Sequence, residues 1–322
     1  MPSQTASNFT KKIHHGPYET ISPSRPALSQ AGRTVLVTGA SMGIGRAIAR
    51  NFALAHATTV ILVARNLETL EATLSELQAA ALAANSPTKY IARQVDISNP
   101  TSVSSLFAEF ASSGIYIDVL INNAAKISAM QPILTLGPEE VWSQFEANVR
   151  GPLILTWHFH NQQPASEAGK KKKYLVNVST QAIHMFQSNA TVQSFPSYSL
   201  TKQSGNSLMT FLAQEVDPAS DMQIINFHPG VIFNTAWANA PKEYWPEFDH
   251  EDLPGQFAIW AASEEAQFLH GKFLWASWDL DEVMDKEGPI RKYLAENLDF
   301  LTVGVVGLGG TDWDGMYKPK GY

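Results

Sequence analysis

Tyr198 and Lys202 stand four positions apart in the stretch PSYSLTKQSG, residues 196 to 205. On a helix that spacing stacks a phenol and an ammonium one turn apart on the same face. A phenol can give a proton to a carbonyl oxygen or take one from an alcohol, but with an ordinary pKa near 10 it is a sluggish base at neutral pH. A neighbouring ammonium favours the phenolate. A shift of about three pKa units requires roughly 4 kcal/mol, which one screened charge does not supply and two charges in a water-poor cleft do. A Tyr-x-x-x-Lys pair also arises by chance in a chain with nine tyrosines, so its surroundings must decide.

A second cluster is TGASMGIG, residues 38 to 45, where Gly39, Gly43 and Gly45 are spaced G-x-x-x-G-x-G around Ser41 and Ile44. The first glycine permits a tight turn, the second lets a phosphate approach the backbone, and the third lets a helix pack closely on its strand. The helix that opens there offers unpaired N–H groups and a positive dipole end to a pyrophosphate. At the end of the next apolar run, VARN, Ala64 is neutral and Arg65 cationic, where NAD-preferring folds place an acidic residue. A guanidinium there suits the 2′-phosphate of NADP. Met42, inside the glycine loop, adds no second cation.

The elements that must position these clusters alternate along the chain. TVLVTGA, TTVILVARN, KYIARQVDIS, IDVLINNAA, KYLVNVST, MQIINFHPG and KFLWASW read as seven strands. Between the first six lie helical patterns, with Ile44, Ala47, Ile48 and Phe52 at helical spacing in the first, and GPEEVWSQFEANVRGPLILTWHFHNQQ reading as one long helix. Nearly all-apolar strands separated by helices predict a doubly wound parallel α/β sheet buried on both faces. Residues 33 to 281 form one domain on this reading, with a polar N-terminal arm at 1 to 32, laid on the surface or mobile, and a C-terminal extension at 282 to 322.

Composition narrows the function classes. Hydrophobic residues make up 44% and charged residues 16% of the 322, enough apolar material for a sizeable core. A net charge of -7 gives no general attraction for nucleic acid, and the basic run Lys170 to Lys173 reads as a solvated loop tip. There is no cysteine, hence neither disulfide framework nor thiolate metal site. His158 and His160 face apart on a helix, and no metal site is expected. No apolar run approaches a signal peptide or membrane span, so a soluble, cytoplasmic protein is expected.

Read together, these motifs resemble the short-chain dehydrogenase/reductase family across residues 33 to 281. They stand as TGASMGIG at 38–45, VDI at 95–97, NNAA at 122–125, Asn148 within FEANVRG, VNVST at 176–180, Tyr198-x-x-x-Lys202 and PGVIFNT at 229–235. The arm, the segment SEEAQFLHGKFLWASWDLDEV and the tail look like a fungal branch found in natural-product pathways. The resemblance implies a Rossmann fold and a ketone reductase or alcohol dehydrogenase using NADP (NADPH). Tyr198 and Lys202 become the catalytic pair, Lys202 also holding ribose hydroxyls, and Asn148 holds a water that connects this lysine to solvent. Asp96 bonds the adenine and Ile97 packs on it; Asn123 and Ala124 line the adenosine ribose; Val231 and Thr235 hold the nicotinamide end. The family's serine beside the tyrosine is replaced by Thr180 in the pair Ser179-Thr180, so Thr180 is the expected hydroxyl and Ser179 the alternative.

The implied substrate is a small or medium carbonyl or alcohol compound, a secondary metabolite on the narrower resemblance. The aromatic segment WANAPKEYWPEFDH after Thr235 reads either as a lid over a ring-containing ligand or as packing. Relatives pair through the helices bearing Asn148 and Tyr198, so a homo-oligomer, dimer or tetramer, is expected. Two other functions compete: a non-redox isomerase, dehydratase or cyclase on the same site, and an NADP-binding scaffold or sensor. The last needs the glycine loop but not the acid.

Overall fold

Runs of Val, Ile and Leu fit a pleated surface buried on both sides. In the computed structural model, which describes residues 9–164, 171–184, 193–233, 242 and 247–304, they form seven strands. These are β1 Thr34–Thr38, β2 Thr59–Ala64, β3 Lys89–Gln94, β4 Val119–Asn122, β5 Lys173–Val178, β6 Met222–His228 and β7 Phe273–Trp275. All pair in parallel, in the order β3-β2-β1-β4-β5-β6-β7. The chain winds outward from β1 in one direction and from β4 in the other. The crevice beyond the C-terminal ends of these two strands is where such sheets take ligands.

Side chains alternate across the sheet, so Val35 and Val37 join one apolar layer while Leu36 joins the other. The first layer packs under α1 (Gly43–Leu54) and α2 (Leu67–Ala83), through Ile48, Phe52, Leu70 and Leu77. The second packs under α3 (Pro100–Ser112), with Val103, Phe107 and Phe110. Asn66 and Asn99 cap α2 and α3 by accepting from Thr69 N–H at 2.9 Å and Thr101 N–H at 3.0 Å.

The single long helix expected after β4 is divided. Helix α4 (Pro138–Phe145) and helix α5 (Gly151–Asn161) are joined by a π-turn, Glu146–Arg150, which contains Asn148. Pro152 supplies the cause, because it has no N–H for the Asn148 carbonyl four residues back and its ring crowds that oxygen. Helix α6 (Pro196–Ala213) accommodates the widened turn with Gly205, where a Cβ would stand 2.9 Å from Asn148 O. Helix α7 (Asp252–Ala261), not expected from the sequence, is almost wholly buried and brings Phe257 and Trp260 into the first layer.

The described part of the arm is packed into the domain despite its polar composition. Ile21 and Leu28 are fully buried, Phe9 stacks on Trp278 with ring centroids 4.0 Å apart, and His14 Nε2 meets Asp279 Oδ2 at 2.8 Å. Each leucine- or phenylalanine-sized side chain removed from water contributes about 1.5–3 kcal/mol. A few apolar residues among polar ones thus suffice to hold the arm. Beyond β7, the tail adds α8 (Leu280–Met284) and α9 (Pro289–Glu296).

Candidate active site

Tyr198 and Lys202 occupy the first turns of α6, which begins beside the end of β5. Lys202 is buried, its Nζ donates to Val178 O at 2.8 Å, and it lies 5.9 Å from the centre of the Tyr198 ring. Burial pushes the lysine down to about 8 and pushes the tyrosine above its ordinary value. Without the cofactor's charge desolvation dominates the phenol, and the lysine is turned toward the Val178 carbonyl. A phenol in this setting stays protonated at neutral pH.

The two hydroxyls after β5 differ. Ser179 donates its N–H to Phe227 O at 2.7 Å, and among the described residues its buried Oγ has no hydrogen-bond partner. Thr180 caps the 3-10 turn Gln181–Ile183 that follows, its Oγ1 accepting from Ala182 N–H at 3.3 Å, which among the described residues leaves the hydroxyl proton to be donated elsewhere.

Asn148 is tied into the protein. Its Oδ1 accepts from Lys126 N–H at 2.7 Å, and its Nδ2 donates to Lys126 O at 2.8 Å and to Thr201 Oγ1 at 2.9 Å. Thr201 Oγ1 in turn donates to Tyr198 O at 2.9 Å. Both amide protons are thus spent on bracing the loop after β4 against the start of α6. Only a lone pair of Oδ1 remains for the water-holding role that the resemblance implies.

The glycine loop follows β1 directly. Gly39 and Gly43 have φ of +65° and +52°, the left-handed region that disfavours other residues, and a Cβ on Gly45 would collide with the Gly39 carbonyl. Asn123 and Ala124 lash the end of β4 to this loop, through N–H groups donated to Thr38 Oγ1 at 3.0 and 3.1 Å and Asn123 Nδ2 donated to Thr38 O at 2.9 Å. Ser41 O accepts from Thr73 Oγ1 at 2.8 Å, and Ile44 packs against the core. Helix α1 opens at Gly43 with no capping side chain from Met42, so its first N–H groups are available to an anion.

Arg65 is exposed, and among the described residues its guanidinium has no partner; only its carbonyl is engaged, by Gln94 Nε2 at 2.9 Å. Asp96 spends one oxygen on Ser98 N–H and Oγ, at 2.9 and 2.7 Å. Ile97 is a core residue, buried against the start of α5, so it has little surface to offer an adenine. Val231 donates its N–H to Asp249 Oδ2 at 2.6 Å, and Asp249 Oδ1 meets His15 Nδ1 of the arm at 2.7 Å. Thr235 lies outside the described residues. The open helix start, the glycine cradle and a free guanidinium fit a dinucleotide phosphate.

Thr201 and Asp249 were not singled out by sequence reading.

Residues 33–244 match the family model described as short chain dehydrogenase. A short chain dehydrogenase/reductase of Claviceps purpurea is 28% identical over 298 residues, covering 92% of this chain and 94% of that protein. Another, from Aspergillus novofumigatus, is 27% identical over 300 residues, covering 92% and 96%. Among solved structures, L-sorbose reductase from Gluconobacter frateurii, complexed with NADPH and L-sorbose, has the same fold, with a TM-score of 0.64 at 22% identity over 77% of this chain and 96% of that one. A family match over more than half of its length, joined to fungal relatives that align along nearly all of theirs, establishes descent: the chain belongs to the short-chain dehydrogenase/reductase family of nicotinamide-dependent oxidoreductases acting on small molecules.

Proposed function

We propose that this chain is an NADPH-dependent reductase of a ketone on a small or medium organic molecule, a secondary metabolite, with alcohol oxidation as the reverse reaction. The observation that carries the reading is the placement of the Tyr198 phenol in the first turn of α6, one turn from Lys202 and beside the end of β5, where burial keeps it protonated at neutral pH. Tyr198 gives its proton to the carbonyl oxygen as the carbon is reduced. Thr180 donates a hydrogen bond to the same oxygen, with Ser179 as the alternative hydroxyl, and Asn148 fixes the start of α6 that carries the acid.

When bound, NADPH supplies the hydride. Gly39, Ser41, Gly43, Ile44 and Gly45 hold its pyrophosphate, Arg65 its 2′-phosphate, and Asp96 and the edge of Ile97 its adenine. Asn123 and Ala124 line the adenosine ribose, Lys202 binds the other ribose, and Val231 and Thr235 hold the nicotinamide end. The lack of cysteine suits a reducing cytoplasm.

The test is consumption of NADPH and of NADH with a panel of cyclic and aromatic ketones, using wild type, Arg65→Ala and Ala64→Asp. Wild type is expected to prefer NADPH by roughly ten- to a hundredfold, a charge-assisted contact of about 1.5–3 kcal/mol, with Met42 arguing for the lower end. Both variants are expected to lose that preference. Turnover of a carbonyl compound without change in its oxidation state would replace reduction by isomerisation or dehydration, and equal use of the two cofactors by wild type would remove the NADP assignment.

A further inference from the structure

The N-terminal arm and the loop after β6 meet at one carboxylate. Gly230 has φ of +95°, in the left-handed region, and a Cβ there would stand 2.5 Å from Asp249 Oδ2. The glycine thus lets this carboxylate press against the backbone, where Val231 N–H donates to it at 2.6 Å. Asp249 returns the bond, its own N–H donating to Val231 O at 2.9 Å. The Val231 backbone is held on both its polar groups by a single residue, so the direction of the Asp249 side chain decides where Val231 stands.

That direction is set by the arm. The Asp249 side chain is only 8% exposed, and its second oxygen, Oδ1, meets His15 Nδ1 at 2.7 Å. A carboxylate only accepts, so Nδ1 carries the proton and donates it. The following residue is tied to the same place, His250 N–H donating to His15 O at 2.7 Å. His15 is itself anchored through its neighbour. His14 donates its N–H to Ser277 O at 2.8 Å, its Nε2 bonds Asp279 Oδ2, and its ring stacks on Tyr18 with centroids 3.7 Å apart. The arm therefore runs as a strap from the segment after β7 to the loop after β6. With its imidazole 58% exposed, the His15 contact adds little to stability. What it fixes is geometry, and small misplacements of a reacting group are costly.

We propose that His15 is a positioning residue for the nicotinamide end of the cofactor: through Asp249 it fixes the Val231 backbone on which that end is seated, so the arm completes the site. The inference rests on the placement of Val231 at the nicotinamide end and not on which carbonyl compound is reduced.

The test compares NADPH with 2′-phospho-ADP-ribose, which shares its adenosine, phosphates and both riboses but lacks the nicotinamide. Calorimetry on the full chain gives both dissociation constants, with NADH and ADP-ribose measured in parallel so that a failed NADP assignment leaves the comparison intact. Wild type is expected to bind the complete cofactor more tightly. His15→Ala is expected to cut that advantage at least about threefold while leaving the fragment's affinity and the urea midpoint nearly unchanged. Asp249→Ala is expected to cut it about tenfold. His15→Asn, whose amide nitrogen can donate from the place of Nδ1, is expected to restore it. If no ketone is reduced while the advantage falls in His15→Ala and returns in His15→Asn, the positioning role stands and the reductase reading falls. Equal binding of cofactor and fragment by wild type, an advantage unchanged in His15→Ala, equal weakening of both ligands, or no recovery in His15→Asn overturns the proposal.

Discussion

Tyr198 and Lys202 share a turn of helix, and burial moves their pKa values apart, the phenol upward and the ammonium down to about 8. For Lys202 the folded value lies below the unfolded value of 10.5, so the folded state carries fewer protons between the two. The penalty for burying the ammonium is full below about pH 8 and disappears as pH rises toward 10.5. Urea unfolding of the cofactor-free protein is therefore expected to show wild type gaining on Lys202→Met through that window, by up to about 3 kcal/mol. Parallel pH profiles would show that the ammonium is not penalised. The hydroxyls give a second comparison, because among the described residues Thr180 keeps its proton to donate while Ser179 is buried just past the end of β5. Thr180→Val is expected to cost about 2–4 kcal/mol of transition-state stabilisation in kcat/KM, and Ser179→Ala much less. The reverse ranking would move the catalytic hydroxyl to Ser179.

At the level of elements, the legible parts were the local ones. Seven apolar strands, the glycine turn after β1 and the tyrosine–lysine turn of α6 each declare themselves within a dozen residues, through periodicity or through glycine. What stayed hidden depends on distant partners or on a single displaced hydrogen bond. The π-turn at Asn148 requires Pro152 to be read as a missing donor inside an otherwise good helix. Asp249 stood in a segment that reads as lid or packing, yet it clamps the loop after β6 by accepting from Val231 N–H, with His15 of the arm on its other oxygen. The two bonds are unequal. Asp249→Ala leaves a partly buried N–H unpaired and is expected to lower stability by about 1–3 kcal/mol. His15→Ala removes an exposed partner and is expected to cost well under that. Urea midpoints of the two variants measure the difference, and equal losses would show that the arm, not the clamp, holds this loop.

Across the whole molecule, the helices that carry Asn148 and Tyr198 also carry exposed large apolar side chains: Trp142 at 63%, Trp157 at 60% and Phe211 at 65% exposure. Surface of this kind favours association between copies. Light scattering at micromolar concentration is expected to give a dimer or tetramer, and Trp157→Glu to shift it toward monomer; a monomeric wild type would contradict pairing through these helices. Glycine loop, β5 end and α6 meet at one crevice, and in the proposed reduction the proton of Tyr198 is the part on which turnover depends. Steady-state turnover and NADPH affinity of Tyr198→Phe, measured with a ketone that wild type reduces, test this most directly. Turnover is expected to fall about a hundredfold or more while NADPH binding stays nearly intact. Near-normal turnover in Tyr198→Phe would contradict the assignment of the proton donor.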